Sequence, residues 1–296
     1  MAPLLNGLDN GRNAVRLHQY IKNLFIFVPL FFALKITDAS LLVNAIIAFI
    51  AFSLTASAIY MLNDYCDIEE DRKHPKKKHR PLASGAISKS QAMVIMVVSG
   101  GIGFALIAIA IHSLEALAIL AAYVVVNIAY SFYLKHVAIL DVTIIATGFV
   151  LRLFIGSVVT DTALSTWIVV MTFLLALFLA LAKRRDDVLT YLETGKKMRR
   201  VINGYNLQFL DTAMAIMASV VIVAYTIYTT SAEVVERFHS QYLYLTALFV
   251  ILGIMRYLQI AFVHQDSGSP TNIVLKDRFM QITILAWVVT FVWVLY

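Results

Sequence analysis

Long apolar runs recur along the whole chain, at roughly 21–35, 41–62, 91–112, 115–133, 138–160, 164–182, 207–230, 240–262 and 274–296. Allowing for tilt, runs of this length cross a hydrocarbon layer about 30 Å thick. The pattern predicts an all-α integral membrane bundle of about nine transmembrane helices, forming one membrane-embedded domain over residues 1–296. The first run is short, and its Phe-rich FIFVPLFF is expected to face lipid with a kink at Pro29. Residues 1–20 form a polar, basic segment without the apolar core and small-residue cleavage site of a signal peptide, so no cleaved leader is expected. Between the runs, two polar stretches stand out, 63–90 after the second predicted helix and 183–206 after the sixth.

Composition agrees with this pattern. With 60% hydrophobic and 14% charged residues, the chain lies far from soluble domains, which carry about 25% charge. The net charge of +6 would suit a nucleic-acid partner in a soluble protein. Here it sorts by loop instead, so the bilayer is the expected partner and nucleic acid is not. With the N-terminus in the cytoplasm, only Lys35 and Arg237 of the 24 Lys and Arg fall on the opposite face, while Arg152 and Arg256 lie within spans. This positive-inside bias predicts a multi-pass protein of the plasma (inner) membrane with both charged stretches on the cytoplasmic side. The single cysteine, Cys66, excludes an internal disulfide and a Cys-rich metal site. Nothing in the pattern fixes an oligomeric state.

The first charged stretch, NDYCDIEEDRKHPKKKHRPLASG over 63–85, places Asn63, Asp64, Asp67 and Asp71 within an arc of about 100° if it is helical. Carboxylates cost free energy beside lipid and contribute little to topology, so one face carrying three of them points to function. Hard oxygen donors of this kind suit Mg²⁺, which is held by one or two carboxylates plus substrate phosphates and water. The cations that follow, Arg72, Lys78 and Arg80 among them, suit the oxygens of a diphosphate, and His74 and His79 are expected on phosphate too.

The pattern NDxxDxxxDRxHPxKxxRPLASG, followed by a long apolar helix, resembles the UbiA superfamily of membrane prenyltransferases, and the likeness covers nearly the whole chain. It implies that Asn63, Asp64, Asp67 and Asp71 bind Mg²⁺-diphosphate. Members acting on aromatic acceptors carry a second aspartate-rich motif, where this chain reads LAKRRDDVLTYLE. On a helix, Lys183, Arg184, Asp187 and Tyr191 share a face, and two cations with one acid suit phosphate better than a second metal. The departure resembles the polyprenyl-phosphate phosphoribosyltransferase branch, as does the opening RLHQYIKN, which implies that Lys22 and Asn23 line the same cytoplasmic pocket.

That branch implies phosphoribosyl diphosphate as donor, a polyprenyl phosphate as acceptor, and Asp64, Asp67, Asp71, Lys183 and Asp187 as catalytic positions. The family also implies pocket roles for Tyr133, Lys135 and Asp141, the last shallow enough to be solvated. Arg152 lies deep in a span and needs a partner, either the lipid phosphate or a structural carboxylate. Arg256 and Asn127 pose the same question more weakly. Arg199, Arg200, Asn203 and Tyr205 close the second stretch and, with Asp277, read as solvated or lipid-facing. Two other readings compete: a prenyltransferase moving a polyprenyl group from its diphosphate to an aromatic or other acceptor, and a membrane transporter. Transporters place such charges near the midplane on broken helices, whereas here they gather at one face.

Overall fold

The computed structural model describes residues 17–73, 77–195, 200–267 and 270–295. The segment 1–16, His74, Lys76 and Arg199 therefore lie outside the described residues, as do the expectations attached to them. Eight long helices carry the fold: α1 (Ala39–Cys66), α2 (Lys89–Leu106), α3 (Leu114–Phe132), α4 (Leu140–Val159), α5 (Thr166–Thr194), α6 (Leu207–Thr230), α7 (Ala247–Phe262) and α8 (Arg278–Leu295). No strand occurs among the described residues. Each of the eight, α2 and α7 counted with the short helical turns that adjoin them, is long and apolar enough to cross a membrane. Their outward faces carry Val97, Ile109, Leu114 and Trp293 in exposed positions, as lipid contact requires.

The expected first span is a shorter element. Leu17–Phe27 winds as a 3₁₀ helix of 11 residues and passes into an α-helix, Val28–Phe32, of 5. At 3₁₀ and α rises of about 2.0 and 1.5 Å per residue, the element reaches about 30 Å in fewer residues than an α-helix needs. Pro29 sits in the first turn of the α segment, where its missing N–H costs no hydrogen bond, rather than at a mid-helix kink. The face bearing Ile26, Pro29 and Leu30 is buried in protein, not lipid.

The chain divides into two compact units, residues 1–135 with 147–164, and 136–146 with 165–296. In the first unit α1 packs along α2, α3 and the 3₁₀ element. Its buried side is mostly small: Ala45, Ala48, Ala51, Ser53, Thr55, Ala56, Ser57 and Ala58. Small residues let helices approach where lipid removes the hydrophobic drive to associate. The hydroxyls of Thr55 and Ser57 return to carbonyls one turn back, at 3.0 and 2.9 Å, so no donor is left facing hydrocarbon. A separate cluster of Met61, Ile68, Leu82 and Ala92 seats the polar loop after α1. In the second unit, α5 and α6 lie side by side over a core including Phe178, Leu210, Met214, Ile254 and Tyr257.

The second charged stretch is not a loop throughout. α5 continues through KRRDD to Thr194 and stops at Gly195, whose φ of 66° only glycine adopts freely. Residues 183–194 contain no Gly or Pro, and Lys183, Arg184, Arg185, Leu189, Leu192 and Glu193 among them favour helix, so the helix outlasts its apolar part.

One close approach fixes the 3₁₀ element. A Cβ on Gly156 of α4 would lie 2.1 Å from the carbonyl oxygen of Ile26, a backbone atom that cannot step aside. Gly156→Ala is expected to cost about 1–3 kcal/mol and to lower the unfolding temperature in detergent by roughly 4 °C or more. Gly101→Ala, facing open space within α2, is expected not to lower it.

Candidate active site

The carboxylate face forms as its spacing requires. The α-helix breaks at Asp67 (φ −102°, ψ 10°), and a short helix, Ile68–Lys73, follows. The Asp67 N–H still donates to the Asn63 carbonyl at 3.1 Å, and the Asp71 N–H to that of Asp67 at 2.8 Å, so the helical ladder runs through the break. Asp64 and Asp71, 5% and 3% exposed, therefore stay on one side. Arg80 Nη1 donates to both, to Asp64 Oδ1 at 2.9 Å and Asp71 Oδ2 at 2.6 Å. Asp67 pairs instead with the Nζ of Lys135, from the turn after α3. Asn63 Oδ1 is buried without a hydrogen-bond partner.

These oxygens fit a hard cation in one specific sense. Among the described residues no three His, Cys, Asp or Glu converge closely enough to cage a metal. Two carboxylates meeting at one point, with an unsatisfied buried amide oxygen one residue before the first, match the partial protein shell that Mg²⁺ takes when phosphates complete it.

The loop carrying Arg80 is tied down locally. Its Leu82 and Ala83 are buried, and Arg72 Nε donates to the Ala83 carbonyl at 3.2 Å while Nη1 reaches Glu69 at 3.0 Å. Arg72 thus braces the loop. Lys78 and His79 are exposed.

Asn23 and Arg152 are both buried and hold each other. Arg152 Nε donates to Asn23 Oδ1 at 2.7 Å and Nη1 to the Gly148 carbonyl at 2.6 Å, while Asn23 Nδ2 donates to Ser53 Oγ at 2.8 Å. The guanidinium lies 4.7 Å from the ring centre of Phe52 and 5.3 Å from that of Tyr123. Its partners within the protein are thus an amide, a backbone carbonyl and aromatic faces rather than a carboxylate, a desolvated cation–π arrangement contributing about 2 kcal/mol. Half-buried Lys22 adjoins this relay on the 3₁₀ element, and Asn127 is satisfied by the Tyr123 carbonyl at 2.8 Å.

In the second unit Arg184 is the centre. It is 1% exposed and donates from Nε to Asp141 Oδ2 at 2.5 Å and from Nη1 to Asp187 Oδ2 at 2.7 Å. Asp141 is 0% exposed, not solvated as its shallow position suggests, because its other oxygen accepts from the Tyr205 hydroxyl at 2.6 Å. That hydroxyl in turn accepts from the Ile139 N–H at 2.7 Å. Burial, and then donation to Asp141, raise the Tyr205 pKa, so the phenol stays a donor. Lys183 is exposed on the next position, and half-buried Tyr191 lines a cavity of about 290 Å³ with Val188, Asn203, Tyr205 and Asn206. Tyr133 stands 77% exposed at the end of α3.

Two participants were missed or undervalued in the sequence. Arg185 is buried, with Nε on Asp211 Oδ1 at 2.6 Å and Nη1 on the Ala261 carbonyl at 2.7 Å, tying α5 to α6 and α7. Tyr205 reads locally as a loop end and is a buried donor. Arg256 finds Asp277 at 2.7 Å, and that hydrogen bond holds the Asp277 carboxyl below its ordinary range.

The described residues thus form an all-α membrane protein with a buried aspartate face at the end of one span and a buried Arg–Asp cluster at the end of another. The chain belongs to the UbiA prenyltransferase family, whose model matches residues 24–295. It is 32% identical over 291 residues to decaprenyl-phosphate phosphoribosyltransferase of Mycolicibacterium smegmatis, covering 94% of this chain and 89% of the relative. The enzyme of that name from Corynebacterium glutamicum is 28% identical over 296 residues, covering 99% and 89%. The fold matches the solved structure of a UbiA homolog from Archaeoglobus fulgidus bound to GPP and Mg²⁺, with a TM-score of 0.73 at 18% identity over 95% of this chain and 99% of that one.

Asp141→Asn takes from the buried Arg184 charge the carboxylate that balances it most deeply and is expected to destabilise the protein by about 3 kcal/mol. Asp187→Asn, at the half-buried partner, costs much less; thermal unfolding of the two purified variants distinguishes them.

Proposed function

We propose that this chain transfers a 5-phosphoribosyl group from phosphoribosyl diphosphate to a polyprenyl phosphate, giving polyprenyl-phosphoryl-5-phosphoribose and diphosphate. The reaction takes place on the cytoplasmic side of the plasma membrane. The observation that carries this reading is the LAKRRDD segment: an Arg bracketed by two Asp, beside an exposed Lys, stands where metal-binding carboxylates would serve a prenyl diphosphate donor. The full-length similarity to enzymes named decaprenyl-phosphate phosphoribosyltransferase supports it.

In this mechanism Asn63, Asp64, Asp67 and Asp71 would hold Mg²⁺, which would neutralise charge on the diphosphate. Arg80, Lys135 and Lys78 add donors to the diphosphate oxygens as the C1–O bond of the ribose breaks. An oxygen of the lipid phosphate forms the new bond to C1 from the opposite side. That nucleophile is already ionised, so no residue need remove a proton. Lys183 contacts phosphate oxygens, with Arg184, Asp187 and Tyr191 shaping the surface around it. Asn23 and Arg152 act from inside by fixing the element that bears Lys22, and the bilayer presents the acceptor.

Purified protein is supplied with Mg²⁺ and either phosphoribosyl diphosphate plus polyprenyl phosphate, or polyprenyl diphosphate plus aromatic acids, and lipid products are read by mass spectrometry. Product is expected only in the first mixture; product only in the second would overturn the reading in favour of prenyl transfer. Asp67→Asn and Asp71→Asn are expected to lower turnover by roughly a hundredfold or more, in line with loss of a group stabilising transition-state charge. Lys183→Ala should raise the KM for a phosphate-bearing substrate, and an unchanged KM for both substrates removes Lys183 from the site.

A further inference from the structure

The three carboxylates of the α1 face are each held by a cation of the protein. Arg80 spans Asp64 and Asp71, and Lys135 holds Asp67. Arg80 is the more exposed member of the bridge: its side chain is 24% exposed, against 6% and 4% for the carboxylates. A divalent cation approaching Asp64 or Asp71 therefore meets charge that is already balanced. To take these oxygens it must displace Arg80, and a displaced guanidinium beside buried groups is costly unless another anion receives it. A diphosphate is such an anion, and its oxygens suit the guanidinium fork.

We propose that Arg80 and Lys135 are internal counter-ions that exchange partners, leaving the carboxylates for the diphosphate, so that divalent metal and diphosphate bind with positive coupling and neither binds tightly alone. This rests on the reading of the aspartate face as the metal–diphosphate half of the site, and not on which diphosphate is the donor. Asn63 Oδ1 belongs to the same arrangement, since as a neutral buried oxygen without a partner it can join a cation's shell without losing a bond. By linkage, whatever factor the diphosphate adds to metal affinity, the metal adds to diphosphate affinity.

The test uses the full chain in nanodiscs, with Mn²⁺ followed by electron paramagnetic resonance and methylenediphosphonate as the non-reacting diphosphate. For the wild type, Mn²⁺ affinity is expected to rise roughly tenfold or more at saturating methylenediphosphonate, after correction for Mn²⁺ complexed in solution. Arg80→Gln should bind Mn²⁺ alone several-fold more tightly than wild type, a gain that a merely structural role cannot produce, while the coupling falls to about twofold or less. Lys135→Met should shift both quantities in the same directions, and it decides the matter if thermal unfolding shows that Arg80→Gln does not fold. Unchanged or weaker Mn²⁺ binding in the folded variants, with wild-type coupling intact, overturns the exchange and leaves the proposed function standing. A wild type that binds no Mn²⁺ at millimolar concentration, with or without methylenediphosphonate, overturns both.

Discussion

Charge in an apolar chain must be balanced within the protein, and this condition organises the molecule. Lipid offers neither water nor counter-ions, so a side chain such as Arg184 or Asp64 is tolerated only with its partner in place. Among the described residues the charged groups that are buried or half-buried near span ends include these pairs: Arg80 with Asp64 and Asp71, Lys135 with Asp67, Arg184 with Asp141 and Asp187, Arg185 with Asp211, and Arg256 with Asp277. Arg152 meets the condition differently, through carbonyl and amide oxygens and the faces of aromatic rings. The pairs differ in what they do. Arg185 and Arg256 join helices; the Arg80 and Lys135 pairs lie on the face whose residue types suit a metal and a diphosphate.

Burial of this kind is a poor source of stability, because desolvation offsets most of the attraction between the charges. Apolar residues would hold α5 against its neighbours at least as well as Arg184 and Asp141 do. That the chain keeps charge there, with Tyr205 fixed as a neutral donor by the same carboxylate, fits a role in shaping the surface around Lys183 and Asp187.

Local periodicity made the spans and the aspartate face legible, because both depend on a repeat of about 3.6 residues. Asp64 and Asp71, two turns apart, share Arg80 as that repeat requires, even across the break at Asp67. Pairings between distant residues were not legible. Lys135 lies 68 residues from Asp67, and Asp141 lies 43 from Arg184, so the chain near each gives no sign of the other. Asp141 looked solvated for that reason. The apolar pattern also ended the sixth span at 182, whereas α5 meets no Gly or Pro before Gly195 and runs on to Thr194. The 3₁₀ winding before Phe27 has no signature in hydropathy, and it turned an expected lipid-facing helix into a packed one.

The most direct measurement is thermal stability and turnover of the double variant Asp141→Asn/Arg184→Met, in which the amide oxygen still accepts from Tyr205, set beside both single variants. If buried charge is balanced in pairs and kept for the site, each single change strands a charge and costs about 3–5 kcal/mol, whereas the double change restores stability to within about 1 kcal/mol of wild type and leaves turnover lost. A double variant that turns over as wild type does, or whose destabilisation equals the sum of the two singles, would contradict the account.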